Sequence, residues 1–67
     1  MTLYFFHILD GQKIFPDEFG KAFSTSEEAI EQARCLAAEL RKAGEFSRSN
    51  QVIVTDESGQ RVFECRP

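Results

Sequence analysis

The chain has 67 residues, with 11 acids against 8 bases and a formal net charge of −3. That length supports one domain, spanning 1–67; the acidic balance argues against the basic footprint that nonspecific nucleic-acid binding needs; and no segment is apolar for long enough to span a bilayer as a helix. Hydrophobic burial and chain ordering each come to about 100 kcal/mol for a chain of this size, so a monomer is marginal and a further stabiliser is expected.

The first predicted element is a strand over residues 2–9, Thr-Leu-Tyr-Phe-Phe-His-Ile-Leu. Side chains alternate faces along a strand. Tyr4, Phe6 and Ile8 therefore share one face, and Leu3, Phe5, His7 and Leu9 share the other. Both faces are apolar. The first set carries no group that ionises near neutral pH and is expected under a helix. The second set is expected to be a contact surface. No Lys or Arg precedes Lys13, and no small-residue cleavage site follows the apolar start. A secretory signal is thus not expected, and a cytoplasmic location follows.

Asp10-Gly11 predicts a two-residue type I′ hairpin turn, in which both central residues take φ > 0. A return strand over 12–15 ends at Pro16, which cannot donate to a ladder. Residues 17–20, Asp-Glu-Phe-Gly, read as a turn, and 21–23 as a short extended piece. Ser24-Thr25-Ser26-Glu27-Glu28 reads as a helix start, with a capping box from Ser24 with Glu27 or Thr25 with Glu28. The helix is predicted over 26–43. Ala29, Ile30, Ala33, Leu36, Ala37, Leu40 and Ala43 fall three or four apart along it, and Gly44 is placed at its C-terminal cap. A polar loop follows over 45–50, with Phe46 as an anchor. The β-branched run 51–55 predicts a strand. Asp56-Glu57-Ser58-Gly59 predicts a turn, and 60–65 the closing strand.

Little in this pattern carries chemistry. His7, with Asp10 and Asp17, is a candidate ligand cluster, as a general base or metal ligand, and Asp17, Glu18, Asp56 and Glu57 are carboxylates for a divalent cation without EF-hand spacing; a lone histidine on an apolar strand more often serves structure, and both acid pairs sit where turns favour acids. Cys35 and Cys65 lie far apart with no C-x-x-C spacing and read as reduced thiols. No serine sits in a nucleophile elbow, and no glycine-rich phosphate loop is present. No catalytic residue, metal or cofactor is expected, and the chain does not read as an enzyme. Arg34, Arg41, Lys42 and Arg48 form a loose basic patch, read first as a solvated helix face with bases at its C-terminal end.

The opening Tyr4-Phe5-Phe6-His7-Ile8, followed by Asp10-Gly11 and by Asp17-Glu18 with Gly20, resembles a family of short bacterial proteins of unknown function. Its members open with Y-F-F-H-x-x-D-G followed by D-x-x-G, then an alanine- and glutamate-rich helix and a closing hairpin with a D-x-x-G turn, which Asp56 to Gly59 matches. The resemblance covers nearly the whole chain and implies no activity, cofactor or catalytic residue. It implies that the His-Asp-Gly region and the turn at 17–20 belong together. Phe15, Phe19 and Phe23 depart from the pattern and enlarge the apolar surface.

The expectation is an α+β fold, β-β-α-β-β, with a four-stranded antiparallel sheet and one helix packed on one face. The expected function is a non-enzymatic protein-interaction module. It would self-associate as a homodimer through an apolar sheet face or edge, with Leu3, Phe5, His7 and Leu9 as the candidate interface. An unidentified protein is the other partner considered, and membrane contact is not expected. The alternative is a nucleic-acid-binding or regulatory accessory protein using the basic patch.

Overall fold

The structure, a computed structural model, describes residues 1–42 and 51–66. The elements run β1 (Thr2–Asp10), β2 (Lys13–Phe15), β3 (Lys21–Phe23), α1 (Ser26–Lys42), β4 (Gln51–Thr55) and β5 (Arg61–Cys65). All strand pairings are antiparallel. The path across the sheet is β2-β1-β4-β5, with β3 also paired to β1. The α+β fold with one helix against one sheet is as expected. Among the described residues the sheet has five strands rather than four, because residues 21–23 pair with residues 2–4.

The long first strand organises the sheet. On one edge it pairs with β4, from Phe5↔Thr55 to Leu9↔Gln51. Its other edge is shared: β2 takes residues 8–10 and β3 takes residues 2–4. Neither reaches the middle of that edge, at Phe6.

The first hairpin turn differs from expectation. Asp10 is still in the ladder, paired with Lys13, and the two loop residues are Gly11 and Gln12. Of these only Gly11 has positive φ (62°). Glycine first and an ordinary residue second is the pattern of a type II′ turn. Moving the turn by one residue lets Asp10 keep a strand conformation and leaves glycine to take the left-handed one.

The helix start is the capping box formed by Thr25 and Glu28. Thr25 Oγ1 accepts from the Glu28 N–H at 3.2 Å, while Glu28 Oε1 accepts from the N–H groups of Thr25 (3.2 Å) and Ser24 (3.0 Å). Glu27 and Glu28 lie at the positive end of the helix, and Arg41 and Lys42 at the negative end. The C-terminal cap at Gly44, the Phe46 anchor and Arg48 lie outside the described residues.

The core lies between α1 and the sheet. Its buried members are Tyr4, Ala29, Ala33, Ala37, Val52 and Val54, with Phe6, Phe23, Leu36, Phe63 and Cys65 packed against them. Alanine on the helix lets its backbone approach the sheet closely, while the strands supply the bulk. Phe23 meets Phe6 edge-on at 5.9 Å and Tyr4 at 6.2 Å between ring centroids, a favoured geometry for aromatic pairs. Tyr4 and Phe6 thus lie in or against the core, as their alternation requires. Ile8 is half-buried and stands outside this cluster.

Candidate functional site

The chemistry-bearing residues of the N-terminal half meet where, among the described residues, β1 has no strand beside it. There the turn at 17–20 folds against β1. One carboxylate oxygen of Asp17 accepts the Phe6 N–H at 3.1 Å. The other accepts the N–H groups of Phe19 (3.1 Å) and Gly20 (3.2 Å). A single side chain therefore closes the turn and also fills the gap between β2 and β3.

His7 is held from both sides. The Asp17 N–H donates to its Nδ1 at 3.0 Å, and its Nε2 lies 3.0 Å from Thr55 Oγ1 on the neighbouring strand. A backbone N–H can only donate, so Nδ1 is the acceptor. The proton of the neutral ring is then on Nε2 and is donated to the threonine hydroxyl. The Phe5 ring stacks along the imidazole, with centroids 6.5 Å apart and planes 11° from parallel. Gly20 presses on Phe5 from the turn. Its φ is +71°, and a β-carbon there would fall 2.9 Å from Phe5 Cε1 and 3.1 Å from the Tyr4 carbonyl oxygen. Glycine is required here on both counts.

Burial acts to raise the Asp17 pKa, but the N–H groups of Phe6, Gly20 and Phe19, with His7 alongside, outweigh it and hold the carboxyl below its ordinary range. The Asp56 turn reuses part of this design. Asp56 Oδ1 accepts from the Ser58 hydroxyl and N–H and from the Gln60 N–H, at 2.6, 2.9 and 3.0 Å, which also lowers its pKa. The neighbouring Glu57 reaches back to cap the Leu3 N–H at 2.8 Å.

The expected ligand cluster is only partly assembled. Asp17 meets His7, but through its backbone, with its carboxylate committed to other donors. Asp10 lies three residues beyond His7, paired with Lys13 at the end of β1, and strand alternation points it to the opposite face. Among the described residues no three His, Cys, Asp or Glu side chains come together as a metal site. Both oxygens of Asp17 and both nitrogens of His7 have partners within the fold, so the assembly braces a turn. What sequence reasoning missed was the Asp17–Phe6 bond. Its signal was an aspartate directly after the proline that ends a short strand, a position suited to an Asx turn.

The surface named as the candidate interface is the sheet face away from α1. Leu3, Phe5, His7 and Leu9 all belong to it by alternation, and Ile14 and Ile53 join through their pairings with Leu9 and His7. Phe5, His7, Leu9 and Ile53 are half-buried, whereas Leu3 is 39 % and Ile14 64 % exposed. Phe19, on the turn at the rim, is 86 % exposed. Phe23, the third phenylalanine of this region beside Phe15 and Phe19, packs against the core instead.

On the helix side, the Arg34 guanidinium lies over the Phe63 ring, 5.4 Å from its centroid. Cys35 is exposed and Cys65 half-buried, both as free thiols. Burial pushes the Cys65 thiol up against the opposing pull of Arg34. No helix of the described residues is long and apolar enough to cross a membrane.

These features define a small α+β domain with a braced turn and one sheet face that no second layer covers among the described residues. The chain belongs to the family described as a domain of unknown function (DUF6894), whose model matches residues 3–66. No curated protein and no solved structure matches it.

Proposed function

We propose that this chain is a small, non-enzymatic interaction module that pairs with a second copy of itself through the sheet face opposite α1. One observation carries the reading: Leu3, Leu9, Ile14 and Ile53 stand on a face with no second layer over it among the described residues. The core is thin, with alanine at three of the six buried positions among the described residues, so covering this face adds substantially to apolar burial. A second copy fits because a two-fold interface needs only one self-complementary patch. Edge pairing is less favoured. β2 and β3 offer three residues each and carry Lys13 and Lys21, and the open edge of β5 carries the Arg61–Glu64 ion pair at 3.0 Å. The module is read as cytoplasmic and bacterial, with no cofactor.

Sedimentation of the purified chain at micromolar concentration tests this reading. A dimer is expected, and Leu3→Lys with Ile14→Lys is expected to give a folded monomer, since both positions are exposed within the protomer. A wild-type monomer at every concentration up to the solubility limit would sink the proposal. Phe5→Glu is a poorer probe, because Phe5 is held by Gly20 and its loss disturbs the turn.

A further inference from the structure

Away from that sheet face, where the second half of α1 meets the end of β5, the surface forms a cavity of about 260 Å³. It is lined by Arg34, Ala37, Ala38, Arg41, Cys65 and Arg66. Half of the described lining residues are arginine, in a chain whose net charge is −3. Seven of the eleven acids gather at 17–18, in the first turns of α1 and at 56–57, while Glu39 and Glu64 are chain neighbours of the lining residues Ala38 and Cys65. We propose that this cavity binds a small phosphate-bearing molecule.

The geometry favours phosphate within the anion classes. Guanidinium groups stay charged at any physiological pH and present planar forks of donors suited to oxyanions. Arg34 and Arg41 are seven residues apart on one helix, two turns along the same face. Arg66 comes to the same cavity from the end of β5. A terminal phosphate carries about two charges on three oxygens and accepts from three forks at once; a carboxylate offers one charge and two oxygens. The stacking of Arg34 on Phe63 restricts its guanidinium before any ligand arrives. Its ionic partner among the described residues is Glu31, at 3.9 Å with both side chains more than half exposed. That contact is weak enough for a dianion to displace. Ala37, Ala38 and Cys65 add small, largely apolar wall, and the volume suits a compact ligand at the low end of the usual pocket range.

A nucleic-acid strand fits less well, because backbone tracking needs an extended basic stripe. The arginines here surround one cavity on an otherwise acidic chain.

The test is an amide-resolved NMR titration of the ¹⁵N-labelled chain with inorganic phosphate and pyrophosphate at constant ionic strength. Saturable shifts are expected at Ala37, Ala38 and Cys65, with pyrophosphate binding tighter than phosphate. Arg34→Gln and Arg66→Gln should each weaken pyrophosphate binding about tenfold, the loss of a charge-assisted contact. Should either variant fail to fold, Ala38→Glu keeps all three arginines, places a carboxylate on the cavity wall and should abolish binding. Shifts that grow linearly at every Lys and Arg, or that persist in these variants, overturn the proposal. So does a single-stranded oligonucleotide that displaces pyrophosphate while shifting residues well beyond the cavity, since that outcome assigns the surface to nucleic acid.

Discussion

The backbone N–H of Asp17 donates to Nδ1 of His7 across 3.0 Å, and this one bond selects the tautomer of the uncharged ring. A ring protonated on Nδ1 would turn a donor toward a donor. For the uncharged ring the Nε2–H tautomer is therefore predicted, and long-range ¹H–¹⁵N correlations from the ring protons read it directly. An Nδ1–H tautomer at neutral pH would contradict the arrangement. His7→Phe preserves the stack on Phe5 but strands the Asp17 N–H and the Thr55 hydroxyl, and should cost about 1–3 kcal/mol in urea unfolding.

Asp17 predicts a pH dependence of defined sign. Its folded pKa is lowered, so the folded state binds the proton less readily than the unfolded chain. Its contribution is complete above the unfolded value, about pH 4, and is lost as pH falls through the lower folded value. Asp56 acts in the same direction. Melting temperature should fall in acid for the wild type and less steeply for Asp17→Asn. Parallel curves would show that the Asp17 carboxylate contributes nothing to the slope.

Two glycines in left-handed conformations should respond differently to alanine. At Gly11, φ is +62° and a β-carbon meets nothing within 4 Å, so Gly11→Ala should cost about 1 kcal/mol, from backbone conformation alone. Gly20→Ala adds contacts with Phe5 and with the Tyr4 carbonyl and should cost about 2–4 kcal/mol. The difference between their urea midpoints is the measurement; equal midpoints would mean that the turn can move away from Phe5 at little cost.

The alanine stripe sets the helix-to-sheet distance. Ala33 is fully buried, so Ala33→Leu should overpack the interface and destabilise the fold by about 1–3 kcal/mol. The same change at Ala38, half-buried on the cavity side, should cost less. Thermal unfolding of the two variants compares them.

Much of the fold was legible because its signals are local. Alternation in β1 separated Tyr4 and Phe6 from Phe5 and His7. The apolar spacing of α1 and the run from Ser24 to Glu28, which offered two capping boxes, placed the helix, and Asp56 with Gly59 marked the last turn. Local signals failed at the first hairpin, where Asp10 and Gly11 read equally well as a turn pair and strand pairing decided otherwise. They also could not show that β2 and β3 share one edge of β1, since no local pattern specifies which edge a strand takes. The role of Asp17 depends on that arrangement. It bonds Phe6, eleven residues back, across a gap that exists only once both short strands have paired. Asp10 and Asp17 looked equivalent as neighbours of His7, and only the folded geometry separates them.

The pairing pattern also has a consequence for how the chain folds. Residues 2–23 can form β1, β2 and β3 from contacts near in sequence, and residues 51–65 can form their own hairpin. Among the described residues the two units pair strand to strand where residues 5–9 meet 51–55, positions more than half the chain apart. Closing that seam carries most of the loop-closure entropy. It also brings Thr55 up to His7, so the histidine's second hydrogen bond can form only when the two halves come together. Its ring resonances would therefore report the joining step, while those of Gly11 and Gly59 report the local hairpins.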